Sequence, residues 1–427
     1  MKVVSIYSNA SKANANPDTY TTVDKWAKKL IFRWLESLTQ GRLTIIDEGR
    51  HYHFGQITSE SRIEACIIVK HHSIYRDVLF NGTVGSGEAY MKGSWESPDL
   101  VSVIRLMCSN IDRLGKIDQG WSRVNSVFAR IIHNLRFNSK KNARLNIAAH
   151  YDLGNAFFQQ FLDPLMMYSS AIFPNQQSDL EEASVYKLDH ICRRLQLTED
   201  DHLLEIGTGW GSMAIHAAKY YGCHVTTTTI SRKQHKYAKA AVAKEGLSDK
   251  ITVLLDDYRD LKGKFDKLVS IEMIEAVGRR YLSQYFSTCS RLLKENGLML
   301  IQAITIPKRQ QNPSSGQADF IQRYIFPGGD LPSLPMIAKY THEDTNMQIV
   351  GIEDITQDYA KTLAAWRKNF FKKLSEIKSQ GYDDVFTRMW DFYLSYCEGG
   401  FRERTINTLQ VLLAKPNCLQ LPSVVTK

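Results

Sequence analysis

The chain has 427 residues, 43% of them apolar, and a formal net charge of +9. This is the composition of an ordinary globular protein with enough apolar residues for a core, and the length suits two or three domains. The seven cysteines show no C-x-x-C spacing, which argues against a zinc site and a disulfide framework and favours a reducing, cytoplasmic compartment.

The N-terminal stretch MKVVSIYSNASKANANPDTY has too few apolar residues for the core of a signal peptide. No later apolar run reaches the length of a membrane span, so any membrane contact is expected to be peripheral, at the inner face of the membrane. The net positive charge favours an anionic partner, either acidic lipid or nucleic acid, although a basic balance also serves solubility alone.

Residues 1–115 contain three alternating patterns, LTIIDEG, HYHFG and ACIIVK. These patterns predict short strands and hairpins, and we interpret the region as a small α+β domain. Within it, VGSGEAYMKGSWESPDL places three glycines around Tyr90 and Trp95, which predicts a tight turn against aromatic side chains.

Residues 116–147 are predicted to form a basic linker, and the aromatic stretch that follows, up to residue 163, an amphipathic helix. Four basic residues lie close together in the linker: Arg136, Lys140, Lys141 and Arg144. Each could contribute about 1 kcal/mol at an acidic bilayer surface. A solvated linker is the alternative interpretation.

From about residue 185 onward strands and helices alternate, beginning with HLLEIG, GSMAIHAAKYYG and HVTTTTI. Such alternation predicts an α/β fold, a mostly parallel, Rossmann-like sheet covered on both faces. A stretch rich in proline and glycine near 307–340 interrupts the pattern and is predicted to be a loop-rich insertion over the active site. A further strand, IVGIEDIT, and helices are expected to complete the domain over 148–427.

The sharpest motif is LLEIGTGWG, residues 203–211, between a strand and a helix. Gly207 and Gly209 allow a tight turn and close approach of a ligand. Dinucleotide enzymes share such a turn. Glu205 just before it suits a cationic ligand better than a pyrophosphate, which favours S-adenosylmethionine over a nicotinamide cofactor.

Two further segments support this interpretation. The third strand ends in DDYRDL, where Asp257 and Tyr258 suit the edge and face of an adenine. The second strand ends in TTTTISRKQ without the acidic residue that binds ribose in dinucleotide folds, so Thr229 and Gln234 are the candidates for that contact. Residues 226–228 are interpreted as ordinary strand filling.

A fourth segment, KLVSIEMIEAVGR, begins as a buried strand and ends with Glu272 and Glu275. The two carboxylates either face solvent or lie in a pocket that binds something positive.

Seven motifs resemble, in order and spacing, those of the cyclopropane fatty acyl phospholipid synthases and their mycolic acid relatives: HYDLGNAFF, FLDPLMMYSSAIF, LLEIGTGWG, TTTTISRKQ, SIEMIEAVG, YIFPGGDLPS and YAKTLAAW. The resemblance covers residues 148 to about 400, and GEAYMKGSW resembles the N-terminal domain of the members that act on phospholipids. It implies a class I methyltransferase fold and a phospholipid partner rather than nucleic acid.

The resemblance also implies the chemistry. A methyl group passes from S-adenosylmethionine to the cis double bond of an acyl chain, and proton loss from the added methyl closes a cyclopropane. Such a cation needs a dry pocket, negative charge and a base. By its motif, Glu275 would help to hold a bicarbonate ion that serves as the base, with Tyr359 at the same site; Tyr151 and Tyr168 would close over the cofactor. Glu272 is expected to be structural or to support the residues that touch the ligand.

Three departures from the family pattern fall in this site. Ser170 stands where many relatives have cysteine, Ala276 where they have histidine after the glutamate, and Gln302 where they have histidine on the next strand. Serine and glutamine still bind anions through hydrogen bonds. The loss of the imidazole weakens the expectation that bicarbonate binds. A site without this imidazole is closer to that of relatives that make methylene or branched products.

Alternatives stay open at this stage. The product is a cyclopropane or, second, a methylene or methyl-branched fatty acid; a small-molecule methyltransferase and an inactive lipid-binding protein are further options. The sequence leaves the oligomeric state undecided, with a homodimer among the options.

Overall fold

The computed structural model describes residues 20–59, 61–111, 153–307 and 319–421. The chain forms two compact units. The first comprises Met1–Leu135, Asn312–Ile325 and Trp366–Thr405, and the second comprises the remaining segments, Arg136–Gln311, Phe326–Ala365 and Ile406–Lys427. The domain limits predicted from the sequence lie among residues outside the described ones, so that division stays a prediction. The sequence did not indicate that 366–405 groups with the N-terminal elements.

The described ranges contain thirteen α-helices, numbered in chain order. They are α1 (Thr22–Leu35), α2 (Ser73–Met91), α3 (Leu100–Ser109), α4 (Asn155–Phe158), α5 (Leu180–Arg194), α6 (Ser212–Tyr220), α7 (Arg232–Lys244), α8 (Leu282–Leu292), α9 (Phe320–Tyr324), α10 (Leu334–Asp344), α11 (Thr356–Lys372), α12 (Leu374–Ser379) and α13 (Asp384–Arg402). Of the amphipathic helix predicted up to residue 163, the described part forms only the four-residue α4.

The first unit contains a four-stranded sheet in the order β2-β1-β3-β4. Its strands are β1 (Gly41–Asp47), β2 (Arg50–Gln56), β3 (Glu64–Val69) and β4 (Trp95–Glu96). β1 and β2 form an antiparallel hairpin, while β1 and β3 run parallel. Every second residue of β1 is buried, as expected for a strand with one face on a core. The predicted strands are therefore confirmed.

The tight turn predicted within VGSGEAYMKGSWESPDL lies after Met91, where α2 ends: the chain turns at Gly93, whose φ is 77°, and the rings of Tyr90 and Trp95 lie 5.1 Å apart. Gly85 and Gly87 lie within the helix and serve packing instead of turning the chain. A Cβ atom at Gly85 would lie 1.9 Å from the carbonyl oxygen of Asp77, and one at Gly87 would lie 2.4 Å from the ring of Phe320. Close approach of neighbouring groups thus explains both glycines.

The second unit is built on a seven-stranded sheet in the order β10-β11-β9-β8-β5-β6-β7. Its strands are β5 (His202–Ile206), β6 (His224–Thr228), β7 (Ile251–Leu254), β8 (Phe265–Ile271), β9 (Leu293–Thr305), β10 (Gln348–Asp354) and β11 (Asn407–Ala414). The five strands from β9 to β7 are parallel, and β11 pairs antiparallel with both neighbours. The predicted α/β fold is confirmed.

Both faces of this sheet are buried, as the strand sequences require. On β5, Leu203 packs in one core with residues of α5, α6 and α7, whereas Leu204 packs in the other core with residues of α8 and α10. Leu268 and Val269 on β8 alternate in the same way. Consecutive apolar residues are typical of parallel strands covered on both sides.

β11 corrects the sequence prediction, which expected helices up to the C-terminus. Its run NTLQVLLA is short and apolar, and such a run has no periodicity that separates a buried strand from a helix. The strand lies between β9 and β10 and brings Gln410 beside Gln302.

The sheet order also marks where a ligand is expected. From β5 the chain passes to β6 on one side, and β8 lies on the other side of β5. In open α/β sheets the crevice at such a point, outside the carboxyl ends of the strands, is where ligands bind.

Within the described ranges no helix is both long and apolar enough to cross a membrane.

Candidate active site

The glycine-rich turn joins β5 to α6 with the backbone that its glycines allow. Gly207, Gly209 and Gly211 have φ values of 104°, 53° and 99°, in a region that residues with a Cβ rarely adopt. The amides of Gly207 and Thr208 donate to the carbonyl oxygen of Thr228 at 3.0 and 3.1 Å. These bonds fix the turn at the carboxyl ends of β5 and β6.

Open space lies beside Gly209. A Cβ atom at this position would meet no atom within 4 Å, whereas one at Gly211 would lie 3.2 Å from the Cβ of Ala238. Gly211 therefore lets α6 and α7 pack, and Gly209 leaves its main chain open to a ligand, as in nucleotide-binding turns.

Glu205 lies on β5, just before the first glycine of this turn, and is 3% exposed. Thr227 is its cross-strand neighbour on β6 and donates from Oγ1 to Oε2 of Glu205 at 2.6 Å. Burial raises the pKa of Glu205 to about 8, against the opposing effects of Thr227 and Lys187. The sequence analysis did not select Thr227. The available signal was that Thr227 lies opposite Glu205 when the two parallel strands are aligned.

Most of the side chains predicted to contact the cofactor at the ends of β6 and β7 already form hydrogen bonds within the chain. Thr229 donates from Oγ1 to Oε1 of Gln234 at 2.9 Å, and both side chains are buried. The carboxylate of Asp257 accepts two bonds from the guanidinium of Arg259, at 2.8 and 2.6 Å. Burial raises the pKa of Tyr258. The adenine and ribose contacts of these residues stay predictions.

Aromatic rings surround Tyr168. Its ring centroid lies 5.2 Å from that of Phe158 and 6.3 Å from that of Phe326, and Phe158 lies 5.2 Å from Trp210 of the glycine-rich turn. This cluster connects the motif around Tyr168 to the turn. Tyr151 lies outside the described residues.

The carboxylate of Glu272 is the centre of a second cluster. Its Oε1 accepts from the main-chain N–H of Ser170 and from Nε2 of Gln302, both at 2.9 Å, and its Oε2 accepts from the hydroxyl of Tyr359 at 2.8 Å. We call these four residues the Glu272 cluster. Three predicted site residues are thus brought together, around a glutamate that the sequence analysis had considered structural.

The backbone at Glu272 is unusual. Its φ of 49° lies in the left-handed region, which costs a residue with a Cβ about 1–2 kcal/mol. The amide of Glu272 donates to the carbonyl oxygen of Gln302 at 2.7 Å, so the strand pairing of β8 and β9 continues to this point. Strained backbone of this kind is concentrated at functional sites.

Ser170 enters the cluster through its main chain. Its hydroxyl donates to the carbonyl oxygen of Ala171 at 2.9 Å, and its own carbonyl oxygen accepts from Nε2 of Gln302 at 3.2 Å. The main chain of Ser170 therefore supplies the donor to Glu272. That its side chain binds an anion stays a prediction.

Glu275 has a different environment. Its Oε1 accepts from the amide of Ile304 at 2.5 Å, and its Oε2 is buried without a hydrogen-bond partner among the described residues. Burial, together with the charge of Glu272, raises the pKa of Glu275 to about 8. Burial also raises the pKa of Glu272, opposed by its three donors and Lys187. The two carboxyl groups are thus coupled, and Glu272 has the larger set of donors that favour its charged form.

Lys187, which sequence reasoning did not select, supplies a buried positive charge. It is 0% exposed, and its Nζ donates to the hydroxyl of Ser169 at 2.8 Å. Burial lowers the pKa of Lys187 to about 8, and the charges of Glu272, Asp163 and Glu205 oppose this shift. A buried ammonium among three carboxyl groups reduces the cost of keeping them ionised.

Comparison with known proteins assigns these features to a family. A family model described as mycolic acid cyclopropane synthetase matches residues 138–411. The chain is 37% identical over 354 residues to the cyclopropane-fatty-acyl-phospholipid synthase of Escherichia coli, covering 82% of this chain and 88% of that protein. The chain belongs to the mycolic acid cyclopropane synthetase family.

Other members of the synthetase family agree with this assignment. Tuberculostearic acid methyltransferase UfaA1 of Mycobacterium tuberculosis is 36% identical over 364 residues, which cover 84% of either chain. The cyclopropane synthase MmaA2 of the same organism has a TM-score of 0.60 at 30% identity, covering 64% of this chain and 98% of its own. The structure of mycolic acid cyclopropane synthase CmaA1 complexed with SAH and CTAB gives a TM-score of 0.59 at 30% identity over the same shares.

As a member of the synthetase family, the protein is an S-adenosylmethionine-dependent methyltransferase, which confirms the predicted enzyme class and cofactor. The second unit fits that cofactor. Gly209 leaves its main chain open for the approach of a ligand, and the buried carboxyl group of Glu205 lies near the end of β5, just before the turn.

Proposed function

We propose that the protein transfers a methyl group to the cis double bond of an unsaturated phospholipid acyl chain and forms a cyclopropane fatty acid. The observation that carries the proposal is the neighbouring pair of Glu272 and Glu275, next to the glycine-rich turn, in a chain that covers 88% of a cyclopropane-fatty-acyl-phospholipid synthase. When bound, S-adenosylmethionine supplies an electrophilic methyl group.

The chain's own residues then have two tasks. The carboxylate of Glu272 stabilises positive charge that develops on the acyl chain, and a dry pocket prevents water from trapping it. The proposed catalytic residues are Ser170, Glu275, Gln302 and Tyr359. The proposed cofactor-binding residues are Tyr151, Tyr168, Glu205, Gly207, Gly209, Thr229, Gln234, Asp257 and Tyr258.

A methylene or methyl-branched product is the second candidate. It is supported by the identity to a relative named as a tuberculostearic acid methyltransferase and by the glutamine at 302 in place of histidine. In this reaction the cation on the acyl chain rearranges by hydride migration before a proton is lost. Proton NMR separates the two outcomes, because ring protons resonate upfield of the chain protons and methylene protons resonate in the vinyl region.

The experiment incubates the protein with methyl-labelled cofactor and liposomes that bear unsaturated chains. We expect label in the lipid fraction and ring-proton signals in the isolated fatty acids. Vinyl signals without ring signals would support the second candidate. Label that enters only water-soluble acceptors would support a small-molecule methyltransferase, and an absence of transfer would support an inactive lipid-binding protein.

We also propose that the protein contacts anionic membrane peripherally and that the N-terminal unit takes part. On α1, Trp26 is 41% exposed between the exposed lysines Lys25 and Lys29, a combination suited to a headgroup layer. The predicted basic linker would add to this attraction. Liposome sedimentation tests the proposal: binding should weaken with salt, because the Debye length falls from about 10 Å at 0.1 M to about 3 Å at 1 M.

A homodimer is a separate proposal, which light scattering tests.

A further inference from the structure

We propose that Glu272 is the general base of the reaction, so that the chain itself supplies the carboxylate that a bicarbonate ion would otherwise supply. The inference rests on the proposed function, and it assigns a catalytic role to a residue that the motif did not select. Four observations in the Glu272 cluster lead to it.

The first observation is how the donors are distributed over the two oxygens of Glu272. Oε1 accepts two hydrogen bonds, from Ser170 and Gln302, while Oε2 accepts one, from Tyr359. A carboxylate oxygen has two lone pairs. Among the described residues, three of the four acceptor sites are therefore used, and the remaining lone pair is on Oε2.

The second observation is that these donors hold the charged form. Three hydrogen bonds from neutral groups favour an ionised carboxylate over its protonated form, as does the buried ammonium of Lys187. Among the described residues, the carboxylate of Glu275 beside it accepts only from main-chain amides, Ile304 and its own, and its Oε2 has no hydrogen-bond partner. Of two coupled carboxyl groups, the one with more donors stays ionised at the lower pH.

The third observation is that the cluster is built from distant parts of the chain that fix its orientation. Gln302 accepts at its Oε1 from Nε2 of Gln410 at 3.0 Å, so its Nε2 is the end that faces Glu272. Ser170 and Gln302 are both 0% exposed, and Tyr359 is 6% exposed. A preorganised, desolvated set of donors is what a positioned base requires.

The fourth observation is the left-handed backbone of Glu272, with φ of 49°. Glycine adopts this conformation without strain. A side chain retained there against its backbone preference, at the centre of the site, indicates a role for the carboxylate itself.

The step balances without any further reactant. After methyl transfer, a C–H bond of the added methyl group breaks, and its electron pair closes the ring on the cationic carbon of the acyl chain. The proton passes to the open lone pair on Oε2 of Glu272, which becomes a neutral carboxylic acid and later returns the proton to solvent.

The test compares Glu272→Gly with Glu272→Gln in buffer freed of dissolved carbon dioxide. Glycine suits the backbone and leaves an anion-sized space among the donors, whereas glutamine fills that space without a basic oxygen. We expect both variants to lose about 10²–10⁴-fold in turnover, the usual contribution of a general base. Added bicarbonate or formate should restore activity to the glycine variant alone, and the wild-type protein should need neither.

A binding measurement separates this inference from the proposed function. Saturation-transfer NMR of formate, read at its single C–H proton, should give a signal with Glu272→Gly and none with the wild-type protein or Glu272→Gln. Adding Tyr359→Phe to the glycine variant removes one donor and should weaken that signal.

Two results would overturn the inference. One is a wild-type activity that disappears when bicarbonate is removed, and the other is a glycine variant that neither binds formate nor regains activity with it. If the wild-type protein methylates no lipid at all, the proposed function fails, while the formate signal still decides whether the Glu272 carboxylate occupies an anion site.

Discussion

Gln410 donates from Nε2 to Oε1 of Gln302 at 3.0 Å, and the two residues are direct partners across β11 and β9. This bond decides which end of the Gln302 amide faces Glu272, because the oxygen end is already occupied. The orientation of Gln410 is set in turn by Arg194, whose guanidinium donates to Oε1 of Gln410 at 3.5 Å. A residue outside the cluster thereby controls the hydrogen bonds within it.

Gln410→Leu should lower turnover through this orientation. Without the donor, the Gln302 amide can turn its oxygen towards the Glu272 carboxylate, which replaces an attraction by a repulsion. We expect turnover to fall about tenfold or more, since a hydrogen bond to a charged group contributes about 1.5–3 kcal/mol. Cofactor affinity, measured by calorimetry, should be unchanged. Thr408→Val is the matched control on β11, because the buried Oγ1 of Thr408 has no hydrogen-bond partner among the described residues; an equal loss there would point to strand packing.

Gly209→Ala should abolish or strongly weaken binding of S-adenosylmethionine. The added Cβ meets no protein atom within 4 Å, so it occupies the space left for the ligand. The φ of 53° costs alanine about 1–2 kcal/mol of stability. Gly246→Ala is the control, since Gly246 has a φ of 71° and equally open space but follows α7, outside the turn. If both variants bind the cofactor like the wild-type protein in calorimetry, the turn is not its site.

Ser170→Ala and Gln302→Ala should differ sharply in turnover. The Ser170 hydroxyl donates to the Ala171 carbonyl, while its main chain makes the contact with Glu272, so loss of the hydroxyl should change turnover by about threefold or less. Gln302 donates with its side chain, and removal of one such donor from a preorganised site costs about 10²–10³-fold. Initial rates with labelled cofactor and liposomes measure both. Comparable losses would show that the serine side chain matters.

Glu275→Gln should change how stability depends on pH. The pKa of Glu275 is raised to about 8 in the folded protein, above its ordinary value of 4.5. Its contribution to stability is therefore fully present below about pH 4.5 and is lost as the pH rises to about 8. We expect the variant to gain in Tm over the wild-type protein at about pH 9 and to show little gain at about pH 5. A difference in Tm that is the same at both pH values would contradict the raised pKa.

Much of the second unit could be predicted from sequence because its signals are local. The strand that carries Glu205, the glycine-rich turn and α6 follow one another within residues 202–220, and each has its own periodicity or turn chemistry. β11 was missed because its short apolar run fits a buried helix equally well. In the first unit, the glycine-rich stretch predicted the turn at Gly93 beside Tyr90 and Trp95, but not the helix through Gly85 and Gly87, where close contacts with Asp77 and Phe320 explain the glycines.

The sequence by itself determined the α/β sheet and the glycine-rich turn, and its resemblance to the synthetase family predicted that Ser170, Gln302 and Tyr359 belong to one site. Only the tertiary structure decided that these residues surround Glu272 and that Ser170 contributes its main chain. The physical reason is that a carboxylate's role depends on which donors reach it, and these donors lie 30 to 102 residues away along the chain. No local pattern around Glu272 and Glu275 shows that side chains donate to the first glutamate and main-chain amides to the second. The pairing of β8, β9 and β11 and the position of α11 make that distinction.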